Sequence, residues 1–500
     1  MFQVLHGTDA DDRHPKGDNG MIVPANPPWK ALVMLTLLLW LPPSRSCCCG
    51  EGERREGDSK VTRPNIIVIF SDDQGYADLG IQEVHDDVVT PHIDGLAHRG
   101  VRMTKGFVTA PQCMPSRVGI LTGRYQQHSG IETNRSTTEP NRTQAMIPNV
   151  ETIASYLRQV GYVTGMSGKW GVGGVPSRVE QSQVDPRLSA EDRERLPAAR
   201  GFDEYFAGVQ NLYTVSHRLD GSPVENPPQL IRDSRYRVEV QAEAALGFVD
   251  RHASGQQPFF LYYAPYSPHA PFEAPPEYLA KFADIADKRR QTCLAMMACV
   301  DDSVGRLVDT LRRHDIERST LIWYISDNGA PKNGGGSNAP LNGGKGNLLD
   351  GGIRVPFILS WPDVVSAGAI YENMVSALDV LPTCLSAADV DKFPEDLDGT
   401  DLIPYLTGVR TGSPHSYLFF RWQFGAGMQA AIRSERWKLL RQGQRDQLFD
   451  LRRDPGEVGN VAEEQAATAE QLKNLLDGWL SSLPEVTEAP VPRRRRTRSP

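Results

Sequence analysis

Two apolar runs in this 500-residue chain end in the same kind of chemistry. Residues 65–70 (NIIVIF) lead into Ser71, Asp72 and Asp73, and residues 320–325 (TLIWYI) lead into Ser326, Asp327 and Asn328. Neither run alternates polar with apolar residues, which suits strands buried on both faces of a parallel sheet. Asp or Asn after a strand ordinarily marks a turn. Here both pairs follow a Ser and precede a Gly within two residues, which points to a shared site. Open α/β sheets bind ligands at the carboxyl ends of their strands. Brought to one edge, the two pairs offer four hard oxygen donors, a set that suits Ca²⁺ or Mg²⁺ better than Zn²⁺.

Basic residues fall at the same expected edge. Lys169 follows a short run at 161–166 (GYVTGM), Lys345 lies in the loop NGGKG at 342–346, and Arg117 closes the pentapeptide CMPSR at 113–117. A divalent cation flanked by Lys and Arg describes a pocket for a tetrahedral oxyanion. The glycine loop is not a Walker A sequence, which needs GxxxxGK[ST].

The elements that must position these residues alternate. Further strands are expected at 258–263 (PFFLYY), where the chain enters a Pro-rich loop carrying His269, and at 354–360 (RVPFILS). Helical spacing marks 151–160 and 293–313. Strands alternating with helices predict an α/β fold with a large, mixed, mainly parallel sheet flanked by helices. After about residue 410 the character changes. Short strands are expected at 430–440 and 446–451, then a closing helix at 466–480, giving a small C-terminal antiparallel sheet with a helix.

The apolar run at 31–41 follows Lys30 and precedes small residues, the layout of a secretory signal peptide, and is too short for a stable membrane span. Met21 would make a more ordinary start than Met1. The expected organisation is an N-terminal extension and signal peptide at 1–49, a linker at 50–62, a catalytic α/β domain at 63–409, a C-terminal subdomain at 410–485 and a basic tail at 486–500. Export to a periplasmic or extracellular location follows. The net charge of −8 argues against a general nucleic-acid binder. Seven Cys are too few and too clustered for a disulfide scaffold, and Cys293 and Cys299 point to different faces of one expected helix. Asn134 and Asn141 open N-x-[ST] glycan acceptor sequences.

Cys113-Met114-Pro115-Ser116-Arg117, with Leu121-Thr122-Gly123-Arg124 downstream, resembles the signature of the type I, formylglycine-dependent sulfatases. The resemblance extends over most of residues 64–462, through PNIIVIFSDDQGYADLG at 64–80, GKWG at 168–171, GFDEYF at 201–206, SPHAPF at 267–272, SDNG at 326–329 and LFDLRRDPGEVGNVA at 448–462. It implies an alkaline-phosphatase-like core. It also implies that a maturation enzyme oxidises Cys113 to formylglycine. One hydroxyl of the aldehyde hydrate would attack sulfur, and the other would later expel sulfate. By the same resemblance Asp72, Asp73, Asp327 and Asn328 hold the cation, Ca²⁺ or else Mg²⁺, together with residue 113. Arg117 stabilises the hydrate, Lys169 and Lys345 neutralise sulfate oxygens, and His269 serves the leaving oxygen.

One position departs from that pattern. Most relatives carry His after G-K-W, and this chain has Gly171. His217, in the loop after the G-F-D motif, either supplies the missing imidazole or is a substrate contact or plain loop residue. The expected function is hydrolysis of an aryl or carbohydrate sulfate, with a sulfated small molecule or saccharide as partner. Three other readings stand beside it: a phosphodiesterase or phosphonate monoester hydrolase on the same scaffold; a turnover-deficient sulfated-glycan binding protein, motivated by Gly171; and a structural homologue only, in which Cys113 stays a thiol.

Overall fold

The computed structural model describes residues 63–134, 150–173, 193–225, 227–390, 392–424 and 427–484. The leader, the linker, the basic tail, Asn141 and most of the charged stretch 175–200 lie outside the described residues. Residues 61–500 form one unit by their internal contacts. No helix among the described residues is long and apolar enough to cross a membrane.

The strands of the first part, in chain order, are β1 (Asn65–Ser71), β2 (Val101–Met103), β3 (Gly106–Phe107), β4 (Val163–Gly168), β5 (Glu204–Gly208), β6 (Leu212–Val215), β7 (Gln229–Arg232), β8 (Phe259–Ala264), β9 (Thr320–Ser326), β10 (Phe357–Ser360), β11 (Ala369–Tyr371) and β12 (Val375–Ser376). Ten of them build one sheet in the order β11-β2-β10-β9-β1-β8-β4-β5-β6-β7, while β3 pairs with β12. The centre, β9-β1-β8-β4-β5, is parallel throughout. On the flanks, β10 runs antiparallel to β9, and β6 antiparallel to β5. A large, mixed, mainly parallel sheet is what the runs of apolar residues predict.

Among the described residues, the helices of seven residues or more are α1 (Pro91–His98), α2 (Cys113–Thr122), α3 (Ile153–Gln159), α4 (Arg237–His252), α5 (Lys288–Arg313), α6 (Val380–Ala387) and α7 (Ala466–Ser482). Alternate residues of each central strand face opposite layers. Ile66, Val68, Phe70, Tyr262 and Trp323 pack with Val118, Leu157 and Leu381 of α2, α3 and α6. Ile67, Ile69, Leu261 and Tyr324 pack with Ile93, Phe248 and Leu307 of α1, α4 and α5. Helices on both faces explain why these strands are apolar without alternation.

The last part is a four-stranded antiparallel sheet of β13 (Leu418–Phe424), β14 (Gly427–Arg433), β15 (Trp437–Gln442) and β16 (Arg445–Asp450). The single strand expected at 430–440 is in fact two. Ser434 and Trp437 close a turn with Ser434 N donating to Trp437 O at 2.8 Å and Trp437 N donating to Ser434 Oγ at 3.0 Å. One face of this sheet carries α7 through Leu472 and Leu476. The other, with Phe420, Trp422 and Leu440, packs on Leu348, Ile353 and Met374 of the main body.

Buried charges reinforce that contact. Asp350, just after the glycine loop, accepts from Lys438 Nζ of β15 at 2.8 Å and pairs with Arg433 of β14 at 3.3 Å. Lys438 also meets Glu457 at 2.7 Å, and Glu457 accepts the Asp350 N–H at 2.5 Å. Burial opposes the Asp350 charge, but Arg433, Lys438 and Arg354 outweigh it and hold the carboxyl well below its usual range. A second tie joins His415 Nε2 to both Asp379 oxygens at 2.8 and 2.9 Å, beside the start of α6.

Lys438→Met should lower stability by about 3–5 kcal/mol, because it leaves buried Glu457 without its cation and Asp350 paired with Arg433 alone; denaturant unfolding measures this, and an unchanged midpoint would remove the argument. The His415 tie has a pH signature. Burial works against the imidazolium, yet Asp379 raises its pKa above the ordinary value. Its stabilisation is therefore complete below the unfolded His value of about 6.5 and fades as pH rises through the raised one. The stability gap between the parent and His415→Gln should be widest near pH 5 and narrow steadily in alkaline buffer.

Candidate active site

The carboxyl ends of β1 and β9 lie side by side because the strands are adjacent, parallel and in register from Asn65↔Thr320 to Ser71↔Ser326. This register sets Asp72-Asp73 against Asp327-Asn328. Asp73 N–H donates to Asp327 Oδ1 at 3.0 Å, and Asn328 Nδ2 donates to Asp73 Oδ1 at 2.8 Å. All four side chains are buried. Helix α2 begins at Cys113 and points it into the same space. Its Sγ lies 3.4 Å from Asp72 Oδ1 and 3.3 Å from Lys345 Nζ. Burial, followed by the charge of Asp327, pushes the Cys113 thiol up to about 12.

Three cations meet the carboxylates. Lys169, just past the end of β4, reaches Asp72 at 2.7 and 2.9 Å. Lys345 reaches Asp73 at 2.6 and 2.8 Å. Arg117, one turn into α2, donates from Nη2 to Asp327 Oδ2 at 2.7 Å and from Nη1 to Lys169 O at 3.1 Å. Burial opposes ionisation of Asp72, but Lys169, His269, Arg117 and Lys345 hold its carboxyl well below the usual range. Asp327 goes the other way, raised to about 7 by burial and by the neighbouring Asp72 charge.

His269 comes from the loop after β8. Its Nδ1 lies 2.7 Å from Ala270 O, and its Nε2 lies 3.7 Å from Asp73 Oδ2. A carbonyl only accepts, so Nδ1 carries a proton and Nε2 is the atom that faces the site. The structure thus gathers nine of the expected residues: Asp72, Asp73, Cys113, Arg117, Lys169, His269, Asp327, Asn328 and Lys345.

His217 is not among them. In the antiparallel β5–β6 ladder Phe206 pairs with Val215, so the chain past Val215 returns toward the amino end of β5. His217 sits there, 4.0 Å from Glu204, whose carboxylate also binds Arg251 and His252. The site lies at the opposite end, where Gly168 aligns with Ala207 and Ala264. The idea that His217 supplies the imidazole missing at Gly171 is corrected by this register.

Several positioning groups carried no catalytic signal in sequence. Asp78, within the first motif, accepts Gly75 N–H at 3.1 Å and Ser337 N–H at 2.9 Å and pairs with Arg290 at 2.8 Å. It clamps the loop after β1 to the glycine-rich segment after β9. Asn134, which reads as a glycan acceptor, accepts the Met114 N–H at 2.9 Å, satisfying a free donor at the first turn of α2. Gly329 must be glycine, since a Cβ there would lie 1.8 Å from Gly351 O.

The carboxylate and amide oxygens of Asp72, Asp73, Asp327 and Asn328 are the donor type a hard cation takes. Ligand atoms of Asp72, Asp73, Cys113 and His269 all lie within 4.8 Å of one another. Asn328 Oδ1 is buried with no hydrogen-bond partner, and such an orphan acceptor calls for a partner, an ion included.

A parallel-centred α/β sheet with this cluster at its carboxyl edge and a small antiparallel sheet against it is the alkaline-phosphatase-like architecture. The sulfatase family profile matches residues 64–390, and the chain belongs to that family. The profile of the N-sulphoglucosamine sulphohydrolase C-terminal region matches 344–482. The chain is similar to pig (Sus scrofa) N-acetylgalactosamine-6-sulfatase, at 31% identity over 71% of this chain and 68% of that protein. It is similar to mouse (Mus musculus) arylsulfatase J, at 29% identity over 78% of this chain, and spans 66% of that protein's length. The crystal structure of Ps i-CgsB in complex with k-i-k-neocarrahexaose superposes with a TM-score of 0.74 at 31% identity, covering 85% of this chain and 94% of the other.

Gly171 has a structural reason. Its φ is +69°, and a Cβ there would lie 2.9 Å from Arg117 Cδ and 3.4 Å from Lys169 Cε. Restoring the usual residue with Gly171→His should therefore cost about 1–2 kcal/mol in backbone strain alone and displace Arg117. A lowered melting temperature with reduced sulfate release is the expected result; a variant as stable as the parent and faster would contradict it.

Proposed function

We propose that this protein hydrolyses a carbohydrate sulfate ester, with residue 113 as the nucleophile after conversion to formylglycine by a maturation enzyme. The observation that carries this reading is the position of Cys113 Sγ, 3.4 Å from Asp72 Oδ1 and 3.3 Å from Lys345 Nζ, among buried oxygen donors and cations. Formylglycine there supplies an oxygen nucleophile that a buried, protonated thiol does not. A divalent ion, Ca²⁺ or else Mg²⁺, would be held by the oxygens of Asp72, Asp73, Asp327 and Asn328 and would supply Lewis-acid charge at the reacting centre.

The chain's own residues do the rest. Lys169 and Lys345 bring positive charge to the sulfate oxygens, in a pocket where buried charges act strongly. Arg117 fixes Asp327 and the carbonyl of Lys169 together. His269 presents Nε2 to the leaving oxygen. As the S–O bond breaks, its electron pair stays on that oxygen, which takes the Nε2 proton of a doubly protonated His269, leaving a neutral ring with its remaining proton on Nδ1 toward Ala270 O. A sugar hydroxyl is a poor leaving group, so this proton matters more for a saccharide than for an activated aryl ester. The saccharide reading is supported by the oligosaccharide in the Ps i-CgsB structure and by the N-acetylgalactosamine-6-sulfatase relatives. The signal-peptide pattern at 31–41 supports export to the periplasm or the extracellular space.

Protein made in a host able to perform the modification should give a peptide containing residue 113 with the aldehyde mass. It should release sulfate from sulfated saccharides. Cys113→Ala should abolish release, and a chelator should reduce it until Ca²⁺ is returned. Full turnover by protein retaining the thiol would end this reading.

A further inference from the structure

One buried guanidinium outside the cluster is committed to the loop that presents His269. Arg237, the first residue of α4, is 3% exposed. Its Nε donates to Tyr266 O at 2.7 Å, and its Nη2 donates to His269 O at 3.0 Å and Pro271 O at 2.7 Å. Nη1 meets Glu273 at 2.8 Å. One turn further along α4, Gln241 Oε1 accepts the Tyr266 N–H at 2.9 Å. Pro265, Pro268 and Pro271 deprive this loop of backbone donors, so it cannot brace itself with a regular ladder. A planar fork with five N–H groups can hold several carbonyls at once, which a Lys cannot.

The same arrangement fixes the imidazole. Tyr266 stacks on the His269 ring at 4.7 Å, and its hydroxyl donates to Ala270 O at 2.7 Å, the carbonyl that also receives His269 Nδ1–H. The Arg237 guanidinium lies 5.2 Å over the Tyr266 ring. Backbone, ring stack and tautomer are thereby referred to one side chain on a rigid 16-residue helix.

We infer that Arg237 is a positioning residue for leaving-group protonation, acting through the 266–271 loop on the aim of His269 Nε2. This rests on the proposed role of His269. The test is a leaving-group series of substituted phenyl sulfates, from 4-nitrophenyl sulfate to phenyl sulfate, on aldehyde-bearing protein. A good leaving group needs little protonation and a poor one needs much. The ratio of kcat/KM for the poor ester to that for the good ester reports the acid alone, because the fraction of folded enzyme cancels.

A positioned acid contributes ~10²–10⁴-fold, so Arg237→Met should lower this ratio by about tenfold or more, with Arg237→Lys between it and the parent. His269→Ala should lower it further, and adding Arg237→Met to His269→Ala should not change it again. If Arg237→Met slows both esters equally, Arg237 only stabilises the fold and the inference is overturned. If His269→Ala itself leaves the ratio unchanged, the role of His269 fails first and this inference falls with it.

Discussion

Three carboxylates packed at the ends of two adjacent strands set the terms for everything around them. Asp72, Asp73 and Asp327 are buried, and their charges repel in a medium that screens them poorly. The arrangement persists because Lys169, Lys345 and Arg117 reach it from three separate elements. Each cation answers one carboxylate at 2.6–2.9 Å. Asp327 nonetheless stays raised to about 7 through burial and its neighbour Asp72. A cluster held this way keeps its cations fixed in a buried site, where they act strongly on a bound oxyanion.

Holding the three cations in place engages much of the molecule. Lys169 needs β4 between β8 and β5, so it depends on the sheet. Arg117 needs the start of α2, which Asn134 caps. Lys345 depends on a loop with little structure of its own. Lys345 N donates to Ala330 O, Gly346 N to Pro111 O, and Leu348 N to Gln429 Oε1 of β14. Immediately after the loop, Asp350 is gripped by Arg433 and Lys438. The small antiparallel sheet is therefore tied to the reacting centre through the loop that carries Lys345.

The legibility of the sequence follows the range of the forces involved. Strands such as β1 and β9 were readable because burial on both faces writes itself into consecutive residues. Their terminal Asp and Asn residues were readable because a parallel register brings equivalent ends together. His217 misled because its place depends on whether β6 runs parallel or antiparallel to β5, and a short strand does not record its direction. The turn at Ser434 was hidden inside an apolar run for a similar reason. Asp78 accepts the Ser337 N–H and Arg237 donates to the carbonyls of Tyr266, His269 and Pro271, and a hydrogen bond to a distant backbone group leaves no residue pattern at the backbone end. Asn134 matched a glycan motif in sequence, while its side chain is spent on a helix terminus.

Gly171 shows how a missing side chain should be weighed. Read as a gap in a motif, it suggests lost chemistry and hence a binding protein. In the fold its backbone lies against Arg117, whose aliphatic stem occupies the volume a Cβ would take. Arg117 cannot yield that volume easily. It is fully buried, bonded to Asp327 and to the carbonyl of Lys169, and stacked 5.4 Å over the Phe70 ring. The left-handed turn at 171 is thus the closest packing available against a side chain already committed to the carboxylate cluster. The glycine records a steric constraint of the site, and the readiness of Cys113, Lys169, Lys345 and His269 for chemistry has to be judged on their own geometry.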